Sequence, residues 1–215
     1  MRLLFDKAHG EVYDFYQDNP LLSLSEFHRI ASDLGLRIWR NMGQLKNLLK
    51  FDILFMLLPK YEFSEKEIEE MKNFVLDGGL LVVAGGLSKV VNSLTSDFGL
   101  TLNGDVLVDP LRNYGEHWLP LVETTEKHWA TKDVKTIVPL CGRTLNLYEG
   151  SKVLARASPS SYGILGPYSQ GEKPPFMGTS EDYPLIVLGD GHLFSDDLIW
   201  MGDNESLLVN LLRRV

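Results

Sequence analysis

Residues 51 to 86, FDILFMLLPKYEFSEKEIEEMKNFVLDGGLLVVAGG, decide the fold. Two apolar runs, 51–58 and 80–84, flank a segment whose apolar residues recur at helical spacing. Strands that are apolar on both faces are typical of the centre of a parallel sheet that helices cover. Ser64 and Glu67 match a capping box at the start of the helix, and a pair of glycines closes it. The stretch therefore predicts two parallel strands joined by a helix.

The alternation of strands and helices continues on both sides of this unit. The predicted strands are 3–5, 36–39 and 185–188, and the predicted helices are 25–34, 88–98 and 203–212, with further helical turns at 45–49. Ser23 or Ser25 is expected to cap the first of these helices. The pattern predicts an α/β fold with a doubly wound, mostly parallel sheet of the flavodoxin-like type.

Residues 100 to 182 interrupt the alternation and contain most of the prolines. We expect short strands at 137–140, 144–148 and 153–157, the first two forming a hairpin around Cys141, and a mobile segment at 158–181. The prediction is a single α/β domain, 1–215, with a β- and loop-rich insertion at about 100–182.

Composition narrows the classes of function. The chain has 21 basic and 29 acidic residues and a net charge of -8, which argues against nucleic acid and anionic membrane surfaces as partners. A single cysteine excludes a disulfide framework and a cysteine-rich zinc site, and it fits a reducing, cytoplasmic environment. The longest apolar run, 53–58, is far shorter than the roughly 20 residues that span a bilayer. We expect no direct membrane insertion.

Polar residues crowd the turns after the first and last predicted strands. Asp6, His9 and Glu11 follow strand 3–5, while Asp190 and His192 follow strand 185–188. If both strands end at the same edge of the sheet, the two groups can share a crevice and serve as acid/base partners or metal ligands. The alternative is local: aspartates favour turns and helix caps, and histidines pack or hydrogen-bond nearby.

Gly85-Gly86 follows a buried strand and precedes a helix, where an α/β protein places a nucleophile elbow or a phosphate loop. The turn contains no Ser, Cys or Asp nucleophile, although its amides can face an anion. Neither the dinucleotide-binding fingerprint nor the P-loop pattern occurs. Cys141 has no evident base near it in the sequence, so we do not assign it a catalytic role.

Three segments carry a resemblance to a known family. Residues 5–11 look like the opening Asp-x-x-His-Gly of class I glutamine-amidotransferase-like domains of the DUF4350 type. Residues 51–83 look like the family's central strand, helix and strand, and 187–212 look like its closing strand and helix. The family is similar to domains of gliding-type ABC transporter auxiliary proteins and of an intraflagellar-transport subunit. The resemblance covers residues 1–100 and 183–215 and implies an amidotransferase-like fold.

The resemblance also implies the loss of catalysis. Active class I amidotransferases place a cysteine on the elbow, with a histidine and a glutamate downstream, and here the elbow holds Gly85-Gly86. The expectation is a non-catalytic module without a cofactor that binds a small polar ligand or a partner protein at the strand-end crevice. The ligand-binding candidates are Asp6, His9, Glu11, Gly85, Gly86, Asp190, His192 and Asn204, the last at the start of the closing helix.

Two alternatives stay open. One is a hydrolase or lyase that uses Asp6, His9, Asp190 and His192, with or without a metal. The other is a subunit of a homodimer or a larger oligomer that associates through aromatic residues of the insertion. Those aromatic residues are Trp118, Trp129, Tyr162, Tyr168 and Phe176.

Overall fold

The computed structural model describes residues 1–214 and is built on a nine-stranded sheet of order β2-β1-β3-β4-β13-β12-β10-β7-β8. Its strands are β1 (Arg2–Asp6), β2 (Arg37–Asn41), β3 (Ile53–Leu57), β4 (Leu80–Ala84), β7 (Val122–Thr124), β8 (Thr136–Ile137), β10 (Ser151–Ala157), β12 (Pro175–Ser180) and β13 (Leu185–Leu188). Two small antiparallel pairs join β5 (Leu100–Leu102) to β9 (Leu145–Leu147) and β6 (Val106–Val108) to β11 (Tyr162–Ile164). The helices are α1 (Ser25–Asp33), α2 (Glu65–Leu76), α3 (Ser88–Thr95) and α4 (Asn204–Arg213).

Half of the sheet is parallel and confirms the predicted fold class. Strands β2, β1, β3, β4 and β13 all run in the same direction. Successive residues of β3 alternate between two hydrophobic cores: Phe55 packs with α1 and α4 on one face, and Leu54 and Met56 pack with α2 and α3 on the other. Because helices cover both faces, the central strands β3, β4 and β13 are apolar throughout, which is what made the sequence pattern decisive.

The insertion extends the same sheet with antiparallel strands. Strands β12, β10, β7 and β8 follow β13 in that order, each antiparallel to its neighbour. The predicted hairpin around Cys141 is wrong, because β8 pairs with β7 while β9 pairs with β5. Part of the segment expected to be mobile forms β12, in which every residue is buried.

Caps fix two helices that lie on opposite faces of the sheet. The capping box of α2 is confirmed: the Ser64 hydroxyl accepts the Glu67 N–H, and Glu67 Oε2 accepts the Ser64 N–H at 2.9 Å. The expected serine cap of α1 is absent, and a distant carboxylate replaces it. Asp196 accepts hydrogen bonds from the Ser25 hydroxyl at 2.7 Å and from the Glu26 N–H at 2.9 Å. Asp196 thereby ties the turn after β13 to α1.

Among residues 1–214, none of the helices combines the length and the apolar character that crossing a membrane requires.

Candidate functional site

The carboxyl edge of the parallel strands carries two separate pairs of a histidine and an aspartate. One follows β1 and the other follows β13, and strands β3 and β4 lie between them. With about 4.8 Å between neighbouring strands, the ends of β1 and β13 lie about 14 Å apart. The two groups predicted from the sequence therefore share an edge without forming one cluster.

The first group, Asp6, His9 and Glu11, is buried. Asp6 Oδ2 lies 2.6 Å from His9 Nδ1, and Asp6 Oδ1 accepts a hydrogen bond from Asn41 Nδ2 at 2.7 Å. Glu11 Oε2 accepts the His9 backbone N–H at 2.9 Å. One potential ligand atom of each of the three residues lies within 4.8 Å of the others. The turn after β1 thus folds back so that two carboxylates meet one imidazole.

Burial sets the proton affinities in this group. Burial opposes ionisation of Asp6, but hydrogen bonds from His9 and Asn41 outweigh it and hold its pKa below the usual value. Burial lowers the pKa of His9, and the stronger effect of Asp6 and Glu67 raises it overall. Burial together with the charge of Asp6 raises the pKa of Glu11 to about 9. At neutral pH Glu11 therefore holds a proton in the protein without bound ions.

Glu67 connects this group to helix α2. Its Oε2 closes the capping box, while its Oε1 accepts the Leu45 N–H at 2.9 Å and lies 3.4 Å from His9 Nε2. The His9 ring therefore has a carboxylate at each nitrogen, since Asp6 lies at Nδ1. The second role of Glu67 was not visible in the sequence, where Glu67 indicated a helix cap only.

The second group, Asp190 and His192, lies in the turn after β13. Asp190 Oδ1 lies 2.7 Å from His192 Nδ1 and accepts the His192 backbone N–H at 3.0 Å. Asp190 Oδ2 accepts the Leu140 N–H at 2.9 Å, which anchors the insertion to this turn. Burial lowers the pKa of His192, but its hydrogen bond and ion pair with Asp190 raise it overall. The arrangement can hold or transfer a proton at the free ring nitrogen, Nε2.

A cavity of about 400 Å³ opens beside Asp190 and His192. Its lining comprises Leu58, Lys60, Gly86, Leu87, Asp105, Val106, Leu140, Cys141, Arg143, Gly189, Asp190 and His192. The cavity therefore has only one of the two walls that the sequence predicted, the one with Asp190 and His192. Its opposite wall comes from the insertion and not from residues 6–11. Burial and the charge of Asp190 raise the pKa of the Cys141 thiol, so this thiol is less reactive than an activated nucleophile.

Gly85 lies in the turn directly after β4, where the sequence predicted an elbow without a nucleophile. Its φ of +66° is in the left-handed region that favours glycine. A Cβ atom at this position would overlap Leu58 Cδ2 and would lie 3.1 Å from the Gly191 nitrogen and 3.2 Å from Asp190 Cα. A side chain at this turn would therefore displace the end of Leu58 and crowd the backbone of the turn after β13.

Four of the predicted ligand-binding candidates do not line the cavity, and a fifth has a structural role. Asp6, His9, Glu11 and Gly85 are absent from its lining. Asn204 is fully buried and satisfies the backbone: its Oδ1 accepts the Val138 N–H at 3.0 Å, and its Nδ2 donates to Val138 and Leu198 carbonyls at 2.9 Å. Gly86, Asp190 and His192 do line the cavity.

Sequence reasoning missed the cationic side of the cavity. The Lys60 ammonium group forms no hydrogen bond or ion pair with any residue in 1–214, whereas the Lys60 backbone N–H donates to the His9 carbonyl at 2.7 Å. Arg143 donates to the Asp105 carbonyl at 3.2 Å. Lys60 lies three residues after the end of β3, a position at the carboxyl edge that could have singled it out. Nothing in the sequence brings Asp105, Cys141 or Arg143 to this edge, because they belong to the insertion.

Comparison with known proteins supports the fold. No model of a protein family matches the chain. A protein of Aquifex aeolicus, described as an uncharacterized protein, is 24% identical over 231 residues, which cover 98% of this chain and 92% of that protein.

Among solved structures, the mmIFT52 N-terminal domain aligns with a TM-score of 0.77 at 17% identity, covering 97% of this chain and 94% of that one. A glutamine amidotransferase from Thermotoga maritima aligns with a TM-score of 0.61 at 10% identity, over 99% and 96% of the two chains. A ThuA-like protein from Bacteroides uniformis aligns with a TM-score of 0.60 at 15% identity, over 99% and 89%. The chain has a glutamine-amidotransferase-like fold.

Proposed function

We propose that this protein is a non-catalytic amidotransferase-like module, of the DUF4350 type, that binds a small polar ligand in the cavity beside Asp190 and His192. The observation that supports the proposal is the turn after β4, where Gly85 lies at the position that the sequence predicted for an elbow and where a side chain would crowd Leu58, Asp190 and Gly191. The turn after β13 and the insertion still enclose a cavity that is lined in part by polar side chains. Binding without turnover is the function that this combination supports best.

The charges around the cavity favour a ligand that carries an acceptor group such as a carboxylate or a phosphate. Asp190 accepts hydrogen bonds from His192 and Leu140 within the protein. Asp105 likewise accepts the Thr144 N–H and hydroxyl at 3.0 and 2.6 Å. The Lys60 ammonium group remains available as a donor, and so does His192 Nε2 when the ring is protonated, the form that Asp190 stabilises. Such donors orient an anionic ligand.

Calorimetric titration with small carboxylates and phosphate monoesters tests this proposal. At least one probe should bind, and Lys60→Met or His192→Gln should weaken its binding about 10-fold or more, because each removes a charge-assisted hydrogen bond. Lys66→Met is the matched control, since Lys66 is an exposed lysine of α2 that lies outside the cavity. Turnover of amide, ester or glycoside substrates that Asp190→Ala abolishes would refute the non-catalytic proposal.

A second candidate is a subunit that binds a partner protein or a second copy of itself. The likeness to the mmIFT52 N-terminal domain, with a TM-score of 0.77, favours it. Of the aromatic residues predicted for such a surface, Trp118 is 38% exposed, whereas Phe176 is fully buried in β12 and is excluded. Sedimentation at several concentrations tests self-association, and a monomer at high micromolar concentration counts against a stable homodimer.

We do not favour the hydrolase or lyase that combines Asp6, His9, Asp190 and His192. Two strands separate the pairs, and the cavity is lined by the second pair only. Cys141 does line the cavity with His192, but no hydrogen bond links the two residues within the described chain. We therefore do not propose acyl transfer through Cys141.

A further inference from the structure

The buried group at the end of β1 lies outside the lining of the cavity. Asp6, His9 and Glu11 are 0%, 6% and 5% exposed, and the function proposed above uses none of them. Two carboxyl groups in a buried position need partners, because an ionised one needs hydrogen bonds, positive charge or an ion, and a protonated one needs an acceptor. The His9 ring pairs with Asp6, and the His9 backbone N–H donates to Glu11.

One oxygen in this group has no partner. Glu11 Oε2 accepts the His9 N–H, but Oε1 is buried without a hydrogen bond to any atom of residues 1–214. A buried polar atom left without a partner costs about 1–3 kcal/mol, so it calls for an explanation. Glu11 also contributes one carboxylate oxygen to the cluster that it forms with Asp6 and His9.

We propose that Asp6, His9 and Glu11 bind one divalent transition-metal ion. Two carboxylate oxygens and one imidazole nitrogen form a donor set that suits Zn²⁺ or Mn²⁺. His9 Nδ1 and Asp6 Oδ2 lie 2.6 Å apart without an ion. Metal–ligand bonds of about 2.1 Å require them to separate by less than about 1 Å. Three protein ligands leave a coordination position for water.

Neighbouring residues orient Asp6 and His9 in the way that hydrogen-bond partners outside a metal site orient its ligands. A histidine that binds a metal through one ring nitrogen usually donates from the other nitrogen to a carboxylate. Glu67 Oε1 lies 3.4 Å from His9 Nε2 and is itself fixed by the Leu45 N–H. Asn41 donates to the Asp6 oxygen that faces away from His9. The ring and the carboxylate are therefore oriented before an ion arrives.

The position in the fold supports the same inference. Strand β1 lies between β2 and β3, where the strand order of the parallel half reverses. In open α/β sheets, ligands bind beyond the carboxyl ends of the strands at this switch point. Asp6 is the last residue of β1, so the proposed ion lies at that point, and the cavity beside Asp190 lies further along the same edge.

Metal titration of the full chain, stripped with a chelator, tests the proposal. Calorimetry with Zn²⁺ and with Mn²⁺, followed by elemental analysis after desalting, should show one tightly bound ion per chain. Glu11→Gln and Asp6→Asn should each weaken binding at least about 100-fold, because each removes a ligand. Glu67→Gln should weaken it about 10- to 100-fold, as expected for an outer partner.

Two further variants make the result decisive. Glu62→Gln removes an exposed carboxylate near α2 and should leave metal affinity unchanged. Glu11→Asp keeps the charge but withdraws the oxygen, so it should also lose affinity, and it serves in place of Glu11→Gln if that variant does not fold. The proposal is overturned if the wild-type chain binds no ion at about 100 μM, or if binding survives Glu11→Gln but disappears in His192→Gln.

Discussion

Replacing Gly85 by alanine tests whether the elbow can accept a side chain. A residue with a Cβ in the left-handed region costs about 1–2 kcal/mol. At Gly85 the new methyl group would also overlap Leu58 Cδ2 and press on the backbone of Gly191 and Asp190. Overpacking of this kind costs about 1–3 kcal/mol, so the expected destabilisation is about 2–5 kcal/mol. For a chain of this size, that lowers the melting temperature by about 4–20 °C.

Gly35→Ala is the matched control. Gly35 has a φ of +75°, and a Cβ there meets nothing within 4 Å, so the variant carries the conformational cost alone. Its expected loss is about 1–2 kcal/mol. Urea denaturation of both variants at equilibrium gives the two free energies of unfolding, and their difference, about 1–3 kcal/mol, isolates the steric contribution.

Equal destabilisation by Gly85→Ala and Gly35→Ala would refute this reasoning. It would mean that Leu58 and the turn at Gly191 yield without cost, and that the elbow has space for a nucleophile after all. A Gly85→Cys variant that is as stable as the wild type would lead to the same conclusion. The absence of a nucleophile would then be a property of the residue and not of the surrounding packing.

Three further predictions concern stability. Burial opposes ionisation of Asp109, but hydrogen bonds from three serines lower its pKa to about 2. Asp109 should therefore contribute about 2 kcal/mol to the free energy of unfolding above pH 4 and lose this contribution as the pH falls to 2. Urea denaturation of Asp109→Asn should show a larger loss of stability relative to the wild type at pH 7 than at pH 2.5. Burial raises the pKa of Glu11 to about 9. Without metal, the wild type should therefore lose stability relative to Glu11→Gln as the pH rises from about 5 to 9, by up to about 1.4 kcal/mol per pH unit. Parallel plots of unfolding free energy against pH for the two proteins would contradict this. Asp196→Ala should cost about 1 kcal/mol by removing the cap of α1, whereas exposed Asp197→Ala should cost nothing measurable in thermal unfolding.

The parallel half of the fold was predictable because its strands are buried on both faces. Residues 53–57 and 80–84 form β3 and β4 within the apolar runs that the sequence shows, and α2 begins at its capping box. The antiparallel half was not predictable in the same way. The pairing of β10 with β12 contains register shifts, and β10 also pairs with β7, about 30 residues earlier in the chain. No local sequence pattern indicates that β9 pairs with β5 and not with β8.

The candidate site was predicted at the level of the sheet edge and not of the cavity. Asp190 and His192 follow a strand end, which is a local signal, and they line the cavity. That Asp6 and Asp190 lie apart depends on strand order, which sequence spacing does not determine. The opposite wall, with Cys141 and Arg143, depends on how the insertion folds over the edge.

Proton NMR of the protein mixed with a panel of small carboxylates, amides and esters, including L-glutamine, tests the central claim most directly. One experiment reports binding through saturation transfer from protein to probe, and it reports turnover through product signals. Our account predicts saturation transfer to at least one probe, its loss in His192→Gln, and no product over hours. Accumulation of glutamate or another hydrolysis product, abolished by Asp190→Ala, would contradict it.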